Sequence, residues 1–359
     1  METMEGIREK LAFYNGRKVL ITGHTGFKGS WMACVLQQAG AEVSGYALPP
    51  ISEPSLFSIA DITSKTATTF GDIRNLESLR DAMTGFAPEI VIHMAAQPLV
   101  LESYRDPVYT YETNVMGTVN LLEAARSCSN VRSIVNVTTD KVYKNNEWAW
   151  GYREDEYLDG FDPYSNSKSC SELVTSSYRK SFFSGEKAAV VSTMRAGNVI
   201  GGGDFSENRI IPDCVRAAEN HSSIILRNPD STRPYQHVLE PVCAYLLLAA
   251  LQYDNPSLAG SYNVGPDDSS CVTTKQLAEL FCDGWGDGLE WQIDPCSNAP
   301  HEANFLKLDS SKIRNAIGWT PKWTIEQAVE KTVEWSKAYI AGGDINSVMT
   351  HQIAEYLYD

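Results

Sequence analysis

The sequence predicts an α/β fold in which a doubly wound parallel sheet carries a smaller, mixed α/β lobe at its C-terminal side. Two observations lead to this prediction. Short runs of β-branched residues alternate with segments of helical periodicity through the first half of the 359-residue chain, as they do in successive βαβ units. A glycine-rich segment directly follows the first run, where such folds bind phosphate groups. Together they indicate a Rossmann-type domain.

The elements of this sheet follow one another in alternation. Strands are predicted at Lys18–Thr22, 42–46, Ile90–His93, Ser133–Thr138 and 188–194, and helices at 30–39, 76–84, 113–128 and 164–180. Beyond residue 196, glycine, proline, asparagine and aspartate become frequent, which indicates a different lobe. We therefore expect a Rossmann domain at 1–196, with returning segments near 238–265, and a second lobe at 197–359.

Composition excludes several classes of protein. Thirty basic and forty-five acidic residues give a net charge of −15, which disfavours binding to nucleic acid or to an anionic membrane surface. The eight cysteines are scattered without a CxxC pair, so neither a disulfide framework nor a metal site is expected. The absence of a signal peptide and of an apolar run of about 18 residues favours a cytoplasmic location.

The segment after the first predicted strand has the spacing GxxGxxG and leads into a helix. Glycines at these positions permit a tight turn and close approach of a pyrophosphate, and the helix N-terminus supplies N–H donors. In isolation this pattern would also fit a turn without a ligand. Because the second strand ends without arginine or lysine, NAD is favoured over NADP. The cofactor contacts predicted in this loop are Gly23, Thr25, Gly26, Phe27, Lys28 and Gly29.

A candidate catalytic pair opens a predicted helix. Tyr164 and Lys168 form a YxxxK motif, so their side chains lie on one face of the helix, one turn apart. A lysine ammonium near a phenol favours the phenolate, and we expect a lowered pKa for Tyr164. Alone, the motif would also fit an exposed helix pair. Thr139, however, follows the strand Ser133–Thr138 at the sheet edge where open α/β folds place their ligands, so a catalytic site is predicted there.

These motifs resemble those of the extended short-chain dehydrogenase/reductase family, in its group of NAD-dependent sugar-nucleotide epimerases and dehydratases. Dehydratases for thymidine and guanosine nucleotides carry Thr-Asp-Glu where this chain has Thr139-Asp140-Lys141. Lysine at the third place resembles the branch that acts on CDP-glucose. Further blocks at 93–97, 103–107, 113–118 and 233–241 are similar to that branch as well, so the resemblance covers nearly the whole chain.

The resemblance implies a lyase that converts CDP-glucose to its 4-keto-6-deoxy derivative in deoxysugar biosynthesis of the O-antigen type. Tyr164 would take the proton of the C4 hydroxyl, Lys141 the C5 hydrogen, and Asp140 would protonate the departing C6 hydroxyl. These roles need a neutral Lys141 and a protonated Asp140, which burial favours and an ion pair between them would oppose. The implied catalytic residues are Thr139, Asp140, Lys141, Tyr164 and Lys168.

The resemblance also implies further contacts. For the cofactor these are Asp72, Ile73, Ala95 and Ala96, together with Tyr164 and Lys168, although Asp72 fits a loop carboxylate or helix cap equally well. For the nucleotide sugar they are Gln97, Asn198, Arg209, Arg233 and His301, of which His301 is almost as well explained as an ordinary loop residue. Relatives dimerise through two helices, expected here at 108–127 and 164–180, which suggests a homodimer or homotetramer.

Two other functions share many of these features. A sugar-nucleotide 4-epimerase uses the glycine loop, the threonine and the YxxxK pair, but it needs no acid–base pair at C5 and C6. Asp140 and Lys141 therefore discriminate against it. A non-catalytic protein that binds NAD as a structural or sensing ligand would need neither Tyr164 nor Lys168. The identity of the nucleotide base depends on the resemblance alone.

Overall fold

A computed structural model describes residues 6–294 and 305–358. Its strands are β1 (Lys18–Thr22), β2 (Glu42–Ala47), β3 (Ala67–Phe70), β4 (Ile90–His93), β5 (Ser133–Thr138), β6 (Val190–Ala196), β7 (Val199–Ile200), β8 (Ile224–Leu226), β9 (Thr232–Pro234), β10 (Gln236–His237), β11 (Ser261–Val264), β12 (Cys271–Thr273) and β13 (Trp291–Ile293). Its helices are α1 (Ile7–Leu11), α2 (Phe27–Gln38), α3 (Leu56–Ile59), α4 (Leu76–Phe86), α5 (Val100–Arg105), α6 (Pro107–Tyr111), α7 (Gly117–Arg126), α8 (Pro163–Ser181), α9 (Ile210–Glu219), α10 (Leu239–Gln252), α11 (Thr274–Trp285), α12 (Ser311–Ile317), α13 (Ile325–Ile340) and α14 (Ile345–Tyr358).

The main sheet has the strand order β3-β2-β1-β4-β5-β6-β11, and every neighbouring pair is parallel. The predicted α/β fold with a doubly wound parallel sheet is therefore confirmed. Chain order reverses between β1 and β4, which is the switch point where such sheets bind ligands. Strand β11 returns to the sheet beside β6, from within the range predicted for returning segments. The division into two lobes stays a prediction.

Helices cover both faces of the sheet. One face packs against α2 and α10, and the other packs against α4 and α7. Because both faces are covered, strands such as β5 are buried along their whole length, which explains their continuous apolar runs. A separate apolar cluster joins α9, α11 and α13 in the C-terminal half. Within the described ranges, no helix combines the length and apolar character required to cross a membrane.

Several element bounds differ from the predicted ones. Helix α2 begins at Phe27 rather than at residue 30, because the end of the glycine loop forms its first turn. The helix predicted at 113–128 opens with a π-helical segment, Glu112–Met116. In that segment the Asn114 amide donates to the Gln97 carbonyl at 3.1 Å and to Ser167 at 2.9 Å. Hydrophobic periodicity cannot indicate such contacts between distant segments.

Glu240, near the start of α10, joins that helix to the C-terminal part of the chain. Its Oε1 accepts hydrogen bonds from the backbone N–H groups of Lys322 at 3.0 Å and Trp323 at 2.8 Å, and Oε2 accepts one from the Tyr356 hydroxyl at 2.7 Å. Burial raises the pKa of Glu240 to about 7, although these hydrogen bonds act in the opposite direction. The folded chain therefore favours the protonated side chain.

The raised pKa predicts a pH-dependent stability. The pKa of Glu240 is about 7 in the folded chain, against the ordinary value of 4.5 expected for the unfolded chain. Its contribution to the free energy of unfolding is therefore fully present below pH 4.5 and is lost as the pH rises through 7. We expect this loss to amount to about 3 kcal/mol in the free energy of unfolding, and Glu240→Gln, which does not titrate, to abolish it. Urea unfolding at a series of pH values measures the difference between the two proteins.

The matched control for this prediction is Glu326→Gln, at an exposed position in the first turn of α13. It should follow the wild-type pH dependence. A parallel loss of stability in wild type and Glu240→Gln would show that this carboxyl is not the source of the effect.

Candidate active site

A cleft of about 1410 Å³ opens at the carboxyl ends of β5 and β6, beside the first turn of α2. The residues that line it come from distant parts of the chain, and nine of the twenty predicted site residues lie among them. The predicted residues that line the cleft are Phe27, Lys28, Thr139, Asp140, Lys141, Tyr164, Asn198, Arg209 and Arg233.

The glycine loop has the form that a pyrophosphate requires. Gly23 has φ of +77°, and a Cβ there would lie 2.7 Å from the backbone nitrogen of Ala95. A Cβ on Gly29 would lie 2.3 Å from the carbonyl oxygen of Gly23. The N-cap of α2 is Gly26, which has no side chain to bond the free N–H groups of the first turn, whereas Asn75 caps α4 in this way. These donors fit a dinucleotide phosphate.

The other predicted cofactor contacts differ in the groups that they present to a ligand. The Asp72 carboxylate is bound by the Arg74 guanidinium at 2.7 Å and stays partly exposed. The side chain of Ile73 is buried in the apolar core, so only its backbone is available to a ligand. Thr25 donates its hydroxyl hydrogen to the Leu48 carbonyl at 2.9 Å. Ala96 follows Ala95 in the partly buried stretch after β4.

The tip of β5 carries Thr139, Asp140 and Lys141, and the last two lie in a 3₁₀ turn, Asp140–Val142. The Asp140 side chain is 1% exposed. Its Oδ1 accepts a hydrogen bond from the Thr139 hydroxyl at 2.9 Å, and its Oδ2 accepts one from the Asn198 amide at 3.0 Å. Both carboxylate oxygens are thus bonded to neutral groups, and among the described residues no ion pair joins Asp140 to Lys141.

Tyr164 and Lys168 lie in the first turns of α8, which is capped by the Asp162 side chain. The Lys168 ammonium donates to the Val137 carbonyl on β5 at 3.2 Å. Burial raises the pKa of Tyr164 to about 12, against smaller lowering effects of a hydrogen bond with Thr139 and the charge of Arg209. The expected lowering of this pKa by Lys168 is therefore wrong for this structure, because desolvation of the phenol dominates.

Positive charge is concentrated around the phenol. Burial lowers the pKa of Lys168 to about 7, and the charge of Lys28 acts in the same direction. Burial, followed by the charge of Arg209, lowers the pKa of Lys28 to about 8. This local cluster provides attraction for an anionic ligand in a chain whose net charge is −15.

The residues predicted for the nucleotide sugar have different positions. Arg209 lies in the cleft and contacts Asp204 at 3.3 Å, and Arg233 lines the same cleft. Gln97 requires a correction: it is buried, its Nε2 donates to Thr110 at 2.9 Å, and its Oε1 accepts from the backbone N–H of Leu99 at 2.6 Å. Both ends of its amide are used within the protein. His301 lies outside the described residues.

A buried ion pair behind the cleft was not found from the sequence. Arg195 donates to Glu172 at 2.8 Å, and both side chains are at most 3% exposed. Glu172 also accepts a hydrogen bond from Thr138, at the end of β5. Arg195 donates to the hydroxyl of Tyr143 at 2.7 Å. The pair thus holds the chain on both sides of residues 139–142.

The sequence contains a signal for this pair. Glu172 follows Lys168 by four residues and so repeats the spacing of the YxxxK motif, which places the three side chains along one face of α8. A carboxylate on that face and a charged residue within a buried strand, such as Arg195 in β6, together indicate a buried ion pair.

Comparisons with known proteins agree with this geometry. The family model described as GDP-mannose 4,6 dehydratase matches residues 20–332. A CDP-glucose 4,6-dehydratase of Salmonella typhimurium is 46% identical over 350 residues, which cover 96% of this chain and 97% of the relative. A solved UDP-glucose 4-epimerase of Thermus thermophilus, in complex with NAD, has a TM-score of 0.76 at 26% identity and covers 89% of this chain and 99% of its own.

A further solved structure is a dTDP-glucose 4,6-dehydratase of Bacillus anthracis in complex with NAD. Its TM-score is 0.75 at 22% identity, with 91% of this chain and 99% of that chain covered, and it supports the fold alone. The family model spans most of the sequence, and the Salmonella relative is similar along nearly its full length. The chain therefore belongs to the GDP-mannose 4,6 dehydratase family.

Proposed function

We propose that the protein is an NAD-dependent nucleotide-sugar 4,6-dehydratase that converts CDP-glucose to CDP-4-keto-6-deoxyglucose. The observation that carries the proposal is the set of acid, base and phenol in one cleft, with Asp140 and Lys141 at the tip of β5 and Tyr164 on α8. A 4-epimerase does not require the acid or the base. The 46% identity to the Salmonella enzyme supports the choice of CDP-glucose.

The residues of the glycine loop fit NAD, because Gly23 and Gly29 let the loop turn tightly against the protein backbone and Gly26 leaves the N–H groups at the start of α2 without a side-chain cap. When bound, NAD supplies a reversible hydride acceptor for C4, and return of the hydride at C6 leaves no net oxidation. Lys28 and Lys168 would add positive charge beside the phosphates and ribose.

The chain's own residues supply the proton transfers. Tyr164 takes the proton of the C4 hydroxyl, and the ketone that forms once the C4 hydride has also left acidifies the C5 hydrogen. Lys141 removes that hydrogen as a proton, and the electron pair of the C5–H bond forms the C5=C6 double bond. Asp140 donates its proton to the C6 hydroxyl, whose C–O bond breaks with release of water. When C6 is then reduced, Lys141 returns its proton to C5, which completes the 4-keto-6-deoxy product. Thr139 donates its hydroxyl hydrogen to the acid and lines the same cleft as the phenol.

The direct test offers purified protein, with added NAD, four substrates in parallel: CDP-glucose, dTDP-glucose, UDP-glucose and GDP-mannose. We expect CDP-glucose to give a 4-keto-6-deoxy sugar nucleotide, detected by the ultraviolet absorbance that such sugars develop in alkali. Conversion of UDP-glucose alone, to its C4 epimer, would instead identify a 4-epimerase. No turnover of any of the four would favour a non-catalytic NAD-binding protein.

Replacing Lys141 with methionine separates oxidation at C4 from the later loss of water. Without the base at C5, we expect water loss to fall by about a hundredfold, whereas C4 oxidation continues. Exchange of the C5 hydrogen with heavy water, followed by NMR, should be lost to the same extent. Lys180→Met, which removes an exposed lysine in the last turn of α8, outside the cleft, is the matched control. Undiminished water loss in Lys141→Met would exclude this lysine as the base.

We also propose a homo-oligomer in a reducing compartment, the cytoplasm. Large apolar side chains are exposed on the two helical segments expected to dimerise: Val108 (67%), Met116 (50%) and Leu173 (57%). Their burial against a second copy would remove this apolar surface from water. The seven cysteines in the described residues are unpaired, which supports the choice of compartment.

A further inference from the structure

The acid at the tip of β5 is held by a neighbouring loop as well as by its own. Gly197 and Asn198 follow β6, which lies beside β5 in the sheet. A Cβ on Gly197 would lie 2.0 Å from the carboxyl carbon of Asp140, so this carboxyl packs directly against the glycine backbone. Only a residue without a side chain leaves that space for the acid.

Asn198 is arranged to meet the same carboxyl. Its backbone has φ of +48°, in the left-handed region that asparagine tolerates better than most residues. This conformation directs the side-chain amide to the Oδ2 of Asp140, at 3.0 Å. The resemblance assigned Asn198 to the nucleotide sugar, and in this structure its amide is bonded to the acid.

A carboxamide suits a residue that must gain and lose a proton. Its nitrogen donates to the carboxylate, and its oxygen can accept from the protonated acid after rotation of the amide. A lysine or arginine at this position would favour the ionised carboxylate and hinder its use as an acid. The neutral hydroxyl of Thr139 on the other oxygen acts in the same way.

We propose that Asn198 is a positioning residue for the general acid: it fixes the Asp140 carboxyl against Gly197 and serves both of its protonation states during water loss. This inference depends on the proposed dehydratase function. Asn198 acts through Asp140, so its removal should slow proton delivery to the C6 hydroxyl without weakening the binding of the nucleotide sugar to the same degree.

Two substitutions test this in the full chain with NAD bound. Asn198→Gly keeps the left-handed backbone and removes only the amide; we expect kcat to fall by about tenfold, with KM changed less than about threefold. Exchange of the C5 hydrogen with heavy water should then exceed water loss, because Lys141 is intact. Asn198→Asp places a second carboxyl beside Asp140, and two like charges hinder the ionisation of Asp140. The alkaline limb of the kcat–pH profile should therefore move up by about one pH unit.

The matched control is His221→Gly, since His221 also has a left-handed backbone, with φ of +50°, and lies outside the cleft. Its pH profile should equal that of the wild type. A tenfold rise in KM for Asn198→Gly, with unchanged kcat and an unmoved pH profile, would make Asn198 a substrate contact only and would overturn the proposal.

A second measurement is independent of turnover. The ¹³C resonance of the Asp140 carboxyl, assigned by its loss in Asp140→Asn, is titrated with pH in wild type and in both variants. We expect its titration midpoint to rise in Asn198→Asp and its chemical shift to move in Asn198→Gly; identical curves in all three proteins would refute the inference. If wild type converts none of the four nucleotide sugars, the proposed function fails, and this titration still decides the role of Asn198.

Discussion

Tyr164→Phe is expected to lower kcat by about a thousandfold, because the variant lacks the oxygen that accepts the proton of the C4 hydroxyl. The aromatic ring, and with it the packing of the side chain, is kept. Tyr164 shares the cleft with Thr139, Asp140 and Lys141. Since C4 oxidation precedes every later step, exchange of the C5 hydrogen with heavy water should fall with product formation. That pattern distinguishes this variant from Lys141→Met, in which oxidation continues.

The measurement is the initial rate of 4-keto-6-deoxy sugar formation at saturating CDP-glucose and NAD. Tyr178→Phe is the matched control, because Tyr178 lies on the same helix but outside the cleft. Circular dichroism of both variants should equal that of the wild type. A Tyr164→Phe protein that keeps more than about a tenth of the wild-type kcat would require another base at C4.

The features that the sequence predicted correctly are set by local pattern. The structure requires glycine at two positions of the GxxGxxG motif after β1. Gly23 turns directly beside the backbone of Ala95, and Gly29 packs against the backbone of Gly23. The alternation of apolar strands with helices predicted the sheet, whose strands are buried on both faces. Thr139, Asp140 and Lys141 were placed at the cleft by a single rule, that ligands bind at the carboxyl edge of a parallel sheet.

The features that the sequence did not predict depend on contacts between residues that lie far apart in the chain. Asn198 bonds Asp140, 58 residues earlier, and nothing in either local sequence specifies that contact. Gln97 was expected in the substrate site, but a hydroxyl on α6 and a backbone N–H take up its amide. The pKa of Tyr164 was misjudged because the charge of Lys168 is visible in the sequence and the burial of the phenol is not.

The ion pair behind the cleft predicts the largest change in stability. Glu172→Ala would leave the Arg195 guanidinium buried without its carboxylate, and we expect the free energy of unfolding to fall by about 3 to 5 kcal/mol. Urea unfolding at neutral pH measures this change. Glu123→Ala, which breaks a partly exposed ion pair with Arg126, is the matched control and should cost less than about 1 kcal/mol.

The double variant shows whether the cost comes from the uncompensated charge. When Arg195→Met is added to Glu172→Met, no buried charge remains, and we expect the double variant to be more stable than Glu172→Ala by about 1 to 4 kcal/mol. We nevertheless expect the kcat of the double variant to be lower than that of the wild type, because Thr138 and Tyr143 lose the partners that hold residues 139–142. Equal stability of the two variants would mean that the pair contributes through packing and hydrogen bonds alone. A wild-type kcat in the double variant would show that residues 139–142 keep their position without it.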